Sequence, residues 1–205
     1  MKDLTRRTLA KSLVCGFLLT IAAVFFPFAA SCEELPQNVL RLHVIANSDS
    51  PEDQAVKLKV RDAVLREASR WYEDARTMEE ANSAVCTHLE SITAAAREVL
   101  LENGVRQTAA AEVTEMYFTT REYENFSLPA GKYRTLLVTI GSGEGKNWWC
   151  VVFPALCLPA AEQRQDDVLA ELPDSQQELV KHPGKYRVKF KAVEWYQELC
   201  SFFDR

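Results

Sequence analysis

One segment, Leu40–Leu65, constrains the fold most, because it predicts a strand, a tight turn and a helix in direct succession. Its first six residues alternate in character, as expected for a strand whose two faces meet different surroundings. One face carries Leu40, Leu42 and Val44, and the other carries Arg41, His43 and Ile45. The first set is firmly apolar, so we expect that face of the strand to lie on a hydrophobic core.

A helix is predicted to follow directly. Ser50 is a favourable N-cap residue, and Pro51 occupies the first helical position, where the missing N–H is tolerated. Glu52 and Asp53 place carboxylates near the positive end of the helix dipole, and Asp53 completes a Ser-x-x-Asp capping pattern. Apolar residues continue at helical spacing as far as Tyr72, so one face of this helix is expected to pack on the strand.

The turn between strand and helix is strongly polar. Asn47, Ser48 and Asp49 favour tight turns and bond to their own main chain, next to a helix N-terminus whose amides are free. Two interpretations are open. The cluster serves turn and capping chemistry alone, or it is a recognition or catalytic loop with His43 and Asp49 at its edge.

Residues 1–32 have the pattern of an export signal, with a basic start and then 21 residues without a charge. Ala29 and Ser31 are small residues at the spacing that a signal peptidase accepts, and Pro27 also favours cleavage. The stretch is equally long enough to span a bilayer as an uncleaved anchor. Lipid attachment at Cys32 is a third alternative, weakened because Ala29 stands where such signals usually carry Leu.

The remainder, residues 33–205, is expected to form a single α+β domain with its own hydrophobic core. The whole chain is 47% hydrophobic and 26% charged, which is ordinary for a folded protein. Its formal net charge is −5, and because the leader carries +3, the remainder carries −8. An acidic body argues against nucleic acid as the partner.

Beyond the first helix, the pattern predicts one more long helix and then strands. This helix begins at Thr77, with Glu80 as its capping partner, and ends at Asn103 and Gly104. Strands are predicted over 107–119, 133–140 and 148–153, the first two as an antiparallel pair and the last two joined by a hairpin turn at 141–145. The predicted fold class is α+β, a mostly antiparallel sheet with helices packed on one face.

The C-terminal part is polar after residue 159, with short helices predicted around 162–171 and 175–181. Tyr186–Lys191 alternates like an edge strand whose basic side chains point outward. Val193–Phe203 fits an amphipathic helix. That helix either docks on the core or offers its apolar side to a membrane or a partner.

The cysteines indicate one disulfide and no metal site. Export permits disulfides, and Cys150 with Cys157 is the pair that proximity and the turn-forming Pro154 favour. A buried free cysteine is the alternative for either residue. No Cys-x-x-Cys pair and no Cys/His spacing suitable for zinc occurs, so no metal or cofactor is expected.

Two motifs raise the question of a binding function, and only the second supports one. Gly141–Gly145 is glycine-rich, but it lacks the Gly-Lys-Ser/Thr ending of a phosphate loop and precedes a strand, so phosphate binding is rejected. Trp148 and Trp149 are neighbours on a strand and must face opposite sides. One indole is expected in the core and the other near the surface, where it would suit partner binding, unless neighbouring loops cover both.

A hydrolytic site finds little support. The candidate residues are His43, Ser48, Asp49 and Asp53. No Gly-x-Ser-x-Gly or His-Glu-x-x-His pattern surrounds them. Cys150 and His43 would form a nucleophile–base pair only if the fold brought them together, and a disulfide to Cys157 would abolish it.

Three stretches together resemble a known family. They are HVIANSDSPEDQAVKLKVRDAVL, LPAGKYRTLLVTIGSGEGKNWWCVVFPALC and a tail containing VKFKAVEWYQEL. Together they closely resemble stage II sporulation protein R of endospore-forming bacteria. The resemblance covers nearly all of the chain after the leader, and the ANSDS turn and the GKNWWCVVFP strand are its most distinctive parts.

The resemblance implies a non-enzymatic signalling role without a cofactor. Proteins of this family cross the forespore membrane into the space between the two sporangial membranes. There they activate a membrane-embedded aspartic protease of the mother cell, which then removes the pro-sequence of a sigma factor. Our hypothesis for the contact surface comprises His43, Asn47, Ser48, Asp49 and one of Trp148 and Trp149. An exported hydrolase acting on the cell wall, or on peptides between the membranes, is the alternative.

Overall fold

The computed structural model describes residues 2–123, 126–156, 169–170, 172–181 and 186–203. Helix α1 (Lys2–Glu34) is followed by a 3-10 turn (Leu35–Asn38), strand β1 (Leu40–Ile45) and helices α2 (Pro51–Tyr72), α3 (Met78–Thr87) and α4 (Leu89–Glu102). Five strands come next: β2 (Ala109–Phe118), β3 (Arg121–Glu122), β4 (Ser127–Leu128), β5 (Gly131–Ile140) and β6 (Asn147–Phe153). Helices α5 (Asp174–Lys181) and α6 (Arg187–Phe203) follow.

Four of the strands form one mixed sheet in the order β2-β5-β1-β6, and β3 pairs with β4 separately. The predicted α+β class is confirmed. β5 pairs antiparallel with β2 and lies inside the sheet, both as predicted, and β1 pairs antiparallel with β6. β1 and β5 are parallel, which the sequence pattern did not indicate.

The glycine-rich segment 141–146 is not a hairpin turn, so that prediction is wrong. Because β1 lies between β5 and β6, the chain must cross the end of β1 to pass from one strand to the other. The alternation of side chains identifies strands but does not say which strands are neighbours. The segment therefore lies against the turn that follows β1, where Gly145 N–H donates to the carbonyl of Ala46 at 2.9 Å.

Helices α2, α3 and α4 cover one face of the sheet through a single hydrophobic cluster. Its strand members include Leu40, Leu42, Val44, Leu136, Val138 and Ile140, and its helix members include Val60, Val64, Val85, Ile92 and Ala96. Burial of each valine, leucine or isoleucine among them contributes about 1.5–3 kcal/mol, so this cluster is a major source of stability.

The opposite face of the sheet is covered as well. A second buried cluster there contains Leu35, Val39, Phe118, Leu128, Tyr133 and Leu172. Arg41 and His43 point to this side of β1, and both are buried. The strand is therefore enclosed on both faces, although its sequence alternates as if one face were solvated.

The long helix predicted from Thr77 to Gly104 is two helices. Thr77 caps α3 by accepting a hydrogen bond from the Glu80 amide at 3.2 Å, and Gly104 adopts φ 68° after α4, so both ends are confirmed. The break lies at His88, whose backbone (φ −106°, ψ 20°) is not helical. The His88 ring stacks on Trp71 at 3.5 Å between centroids, so a contact with α2 accompanies the break.

The edge strand predicted at Tyr186–Lys191 is wrong, because α6 begins at Arg187 and includes all of these residues except Tyr186. Phe190 and Val193, three residues apart, are both buried against Ala29 and Cys32 of α1, and a helix is the conformation that puts them on one side. The helix predicted around 175–181 is confirmed as α5. Residues 162–168, where another helix was predicted, lie outside the described residues.

Within the described part of the chain, α1 is the one helix long and apolar enough to cross a membrane, by length and composition. An 18-residue window near the N-terminus has a mean hydropathy of 2.4. Leu13, Phe17 and Leu19 are among its exposed apolar side chains. This is consistent with the predicted signal or anchor segment.

Candidate functional site

The turn after β1 is held together by its own polar side chains. Asp53, in the first turn of α2, accepts hydrogen bonds from Ser48 Oγ at 2.5 Å and from Asn47 Nδ2 at 2.9 Å. These bonds stabilise the carboxylate, with that from Ser48 contributing most, and lower the pKa of Asp53 below its ordinary value. Ser50 caps α2 by accepting from the Asp53 amide at 3.1 Å, as predicted. Turn and capping chemistry thus accounts for Asn47 and Ser48.

The crossing segment 141–146 is hydrogen-bonded to this turn. Ser142 donates through its amide to Asn47 Oδ1 at 3.1 Å and through Oγ to the Asn47 carbonyl at 3.0 Å. The amide of Lys146 donates to Asp49 Oδ1 at 2.7 Å. The polar loop and the glycine-rich segment, far apart in sequence, therefore form one rigid unit at the end of β1.

Lys57 of α2 completes this unit and was not singled out from the sequence. Its ammonium donates to the Lys146 carbonyl at 2.9 Å and to Gln54 Oε1 at 2.6 Å, and the side chain is buried. Burial is the main cause that lowers the pKa of Lys57. Its position on the apolar side of an amphipathic helix could have indicated a buried lysine. Its partner, the Lys146 carbonyl, could not be predicted, because the path of the crossing segment depends on the strand order.

His43 lies on the opposite face of the sheet from the helices. Its ring stacks on Trp149 with centroids 3.7 Å apart, and only 3% of the residue is exposed. Nε2 lies 2.8 Å from Asn147 Oδ1, and because an amide oxygen only accepts, Nε2 carries the proton. No described residue gives Nδ1 of His43 a hydrogen-bond partner. Burial lowers the pKa of His43, so the ring is neutral at pH 7.

We expect this histidine to make stability depend on pH. The folded protein protonates His43 only below the ordinary pKa of 6.5, whereas the unfolded chain takes up its proton near 6.5. The free energy of unfolding should therefore fall as the pH is lowered through 6.5 towards the folded-state pKa. Urea unfolding of the wild type and of His43→Gln between pH 7.5 and 5 measures this pH dependence of the free energy of unfolding. A variant with the same pH slope as the wild type contradicts the assignment.

Arg41 is a second buried polar residue that the sequence analysis did not single out. Its side chain is fully buried, and Nη2 donates to the Tyr123 hydroxyl at 2.7 Å. The guanidinium carbon lies 3.8 Å from the centre of the Phe118 ring and 4.9 Å from that of Tyr133. Among the described residues, no carboxylate pairs with it, and Nε and Nη1 have no hydrogen-bond partner. Burial lowers the pKa of Arg41, while contact with aromatic rings stabilises the cation.

The two tryptophans lie on opposite faces, as alternation predicted. Trp149 is packed against Phe118, with ring centroids 5.0 Å apart. Trp148 is 36% exposed, and the Arg61 guanidinium from α2 lies 4.4 Å from its ring centre. Trp148, Asp49 and Lys146 are exposed, and with the partly buried Arg61 they form a patch on the rigid unit at the end of β1, which we call the Trp148 surface.

Comparison with known proteins adds the family. The model of the family described as stage II sporulation protein R matches residues 36–163, more than half of the chain. This chain belongs to the stage II sporulation protein R family. Stage II sporulation protein R of Bacillus subtilis (strain 168) is 33% identical over 187 residues, which cover 82% of this chain and 84% of that protein. No solved structure gives a significant match.

In this member of the stage II sporulation protein R family, the candidate hydrolytic residues are not brought together. Ser48 bonds to Asp53, but His43 is turned to the other face and bonded to Asn147. Cys150 is disulfide-bonded and lies in the cluster beneath the helices, so it is not available to His43 as a nucleophile. Cys157 lies outside the described residues, and its pairing with Cys150 stays a prediction.

The described residues of this sporulation protein contain no group of three or more His, Cys, Asp or Glu side chains that could hold a metal ion. Of the residues predicted for partner contact, Asp49 and Trp148 are exposed, Asn47 and Ser48 support the loop, and His43 is buried. The exposed Asp49 and Trp148 on a hydrogen-bonded frame suit a binding surface.

Proposed function

We propose that this sporulation protein is an exported signal that acts by contact. It crosses the forespore membrane into the space between the two sporangial membranes and activates a membrane-embedded aspartic protease of the mother cell, which then processes a pro-sigma factor. Membership of the stage II sporulation protein R family supports a sporulation role. The apolar helix α1 supports export.

The observation that carries a contact role is the Trp148 surface. An indole exposed on an edge strand offers a large contact area, and its ring is already held by Arg61, so binding orders little more of the protein. Asp49 lies on the adjoining loop, fixed by its bond to the Lys146 amide. A pre-ordered aromatic residue beside charged groups is typical of a protein-binding hot spot.

The experiment is co-expression of the chain, the protease and the pro-sigma factor in a host that lacks all three. Trp148→Ala should reduce pro-sigma processing by about tenfold or more, because truncation of a hot-spot aromatic costs about 2 kcal/mol of binding. Asp49→Ala should also reduce it, by a smaller factor. Circular dichroism and thermal unfolding check that each variant is folded, and immunoblotting of cell fractions checks that it is exported.

A matched control is Trp71→Ala, since Trp71 is similarly exposed (39%) but lies on α2 against His88. Processing should be unchanged in this variant. Normal processing with Trp148→Ala would refute the Trp148 surface as the contact, and processing that never depends on this chain would refute the proposed function itself.

A further inference from the structure

Helices α5 and α6 pack against the C-terminal end of α1. Ala29 and Cys32 of α1 are 5% and 0% exposed, and they share a buried cluster with Leu179, Phe190 and Val193 of α5 and α6. The site at which the sequence would be cut by a signal peptidase is thus helical and half covered. Proteolysis requires an accessible, locally unfolded segment, so in the folded protein this packing protects an uncut leader from cleavage.

The contacts also give the direction of α6. Phe25 meets Tyr196 at 5.9 Å between ring centroids, whereas Phe28 meets Phe190 and Tyr186, each at 5.6 Å. Earlier residues of α1 therefore contact later residues of α6. The C-terminal half of α6 runs back along α1 towards its exposed apolar stretch, which is the part that would enter a bilayer.

The outer face of α6 carries an unusual set of exposed apolar residues. Val188, Trp195 and Leu199 are 83%, 65% and 57% exposed, and their spacing of seven and four places them on one side of the helix. Lys189 Nζ lies 5.2 Å from the centre of the Phe28 ring, so a cation accompanies the aromatic contacts with α1. Tryptophan and lysine beside an apolar helix are typical of the boundary between lipid and water.

The helix is also tied to the rest of the protein. Glu194, which is 6% exposed, accepts hydrogen bonds from the Thr120 amide at 2.8 Å and from Lys191 Nζ at 2.6 Å. α6 therefore bridges α1 and the connection that follows β2, which keeps its apolar outer face close to the segment of α1 that would enter a bilayer. The occupant of this face that fits the chemistry is the phospholipid surface itself.

We propose that α1 is retained as a membrane anchor and that α6 lies on the surface of the same bilayer, with Trp195 and Leu199 among the lipid headgroups. The basic residues before the apolar stretch, Arg7 and Lys11 among them, keep that end of α1 in the cytoplasm and leave the folded body outside. This goes beyond the proposed function, which requires export but no particular attachment.

The first test is the mass of the exported protein in carbonate-washed membranes of a producing cell. The retained anchor predicts the complete chain of 23.2 kDa. A chain that begins near residue 32, or a protein that the wash releases, overturns the proposal. Neither the mass nor the carbonate wash depends on pro-sigma processing. Failure of the anchor proposal can therefore be distinguished from failure of the proposed function.

The second test locates Trp195. The full chain is reconstituted in phosphatidylcholine vesicles with and without brominated acyl chains, which quench nearby indoles. Trp195→Phe should remove most of the quenching, whereas Trp71→Phe, which alters an indole on α2, should leave it unchanged. Equal quenching in the wild type and in Trp195→Phe overturns the membrane contact. Protection of Trp195 only when a protein partner is added overturns it as well, in favour of a protein-docking face.

Discussion

Replacing Arg41 by alanine is expected to lower the free energy of unfolding by about 3 kcal/mol, similar to the loss of a large core side chain. The guanidinium is fully buried between the rings of Phe118 and Tyr133, so truncation leaves a cavity on the closed face of the sheet. It also removes the donor to the Tyr123 hydroxyl. Urea unfolding monitored by tryptophan fluorescence measures the loss.

Arg41→Met is the matched control, because it keeps most of the volume and the apolar stem but no charge. The described residues give the cation one hydrogen bond and leave two of its nitrogens unpaired, so removal of the charge relieves a desolvation cost. We expect its stability to lie within about 1 kcal/mol of the wild type. If methionine is as destabilising as alanine, the charge and its bond, and not packing, stabilise this face.

Gly145→Ala is expected to cost about 2–3 kcal/mol, for a different reason. A Cβ at this position would collide with the carbonyl of Ser48 and with the side chain of Ala46. The carbonyl has little freedom to move, because it accepts a hydrogen bond from Gln54 Nε2 at 2.9 Å. The crossing segment would have to lift from the turn, and bonds between the two would be lost.

Gly104→Ala separates steric collision from backbone preference. Gly104 has φ +68° with open space around the position of a Cβ, so alanine there meets only the left-handed backbone penalty of about 1 kcal/mol. Thermal and urea unfolding of both variants give the comparison. Equal losses at Gly104 and Gly145 would show that the fit between the crossing segment and the turn is looser than described.

The sequence predicted well what depends on near neighbours along the chain. Ser50 caps α2 because its own helix supplies the amide, and β2 and β5, which pair, lie near each other in the sequence with only the small β3–β4 hairpin between them. The position of β1 between β5 and β6 was not predictable, since parallel pairing joins distant segments. Because β5 and β6 were expected to be neighbours, the crossing segment was wrongly predicted to be a hairpin turn.

For the candidate site, too, the sequence predicted the local features and not the long-range contacts. Asn47, Ser48 and Asp49 were found because turn-forming residues cluster before a helix, but their ties to Ser142 and Lys146 depend on the strand order. Arg41 was overlooked because an arginine on the alternate face of a strand usually lies in solvent. At the C-terminus, alternation favoured a strand until packing on α1 selected a helix.

The strand order also bears on the proposed export of the protein. Both neighbours of β1 come more than 90 positions later in the chain, as the pairs Arg41–Thr135 and Leu42–Cys150 show. A polypeptide threaded through a translocation channel from its N-terminus therefore cannot close its sheet until most of its length has emerged. The late arrival of β5 and β6 makes folding slow and keeps the nascent chain extended and transport-competent on the side where it is made.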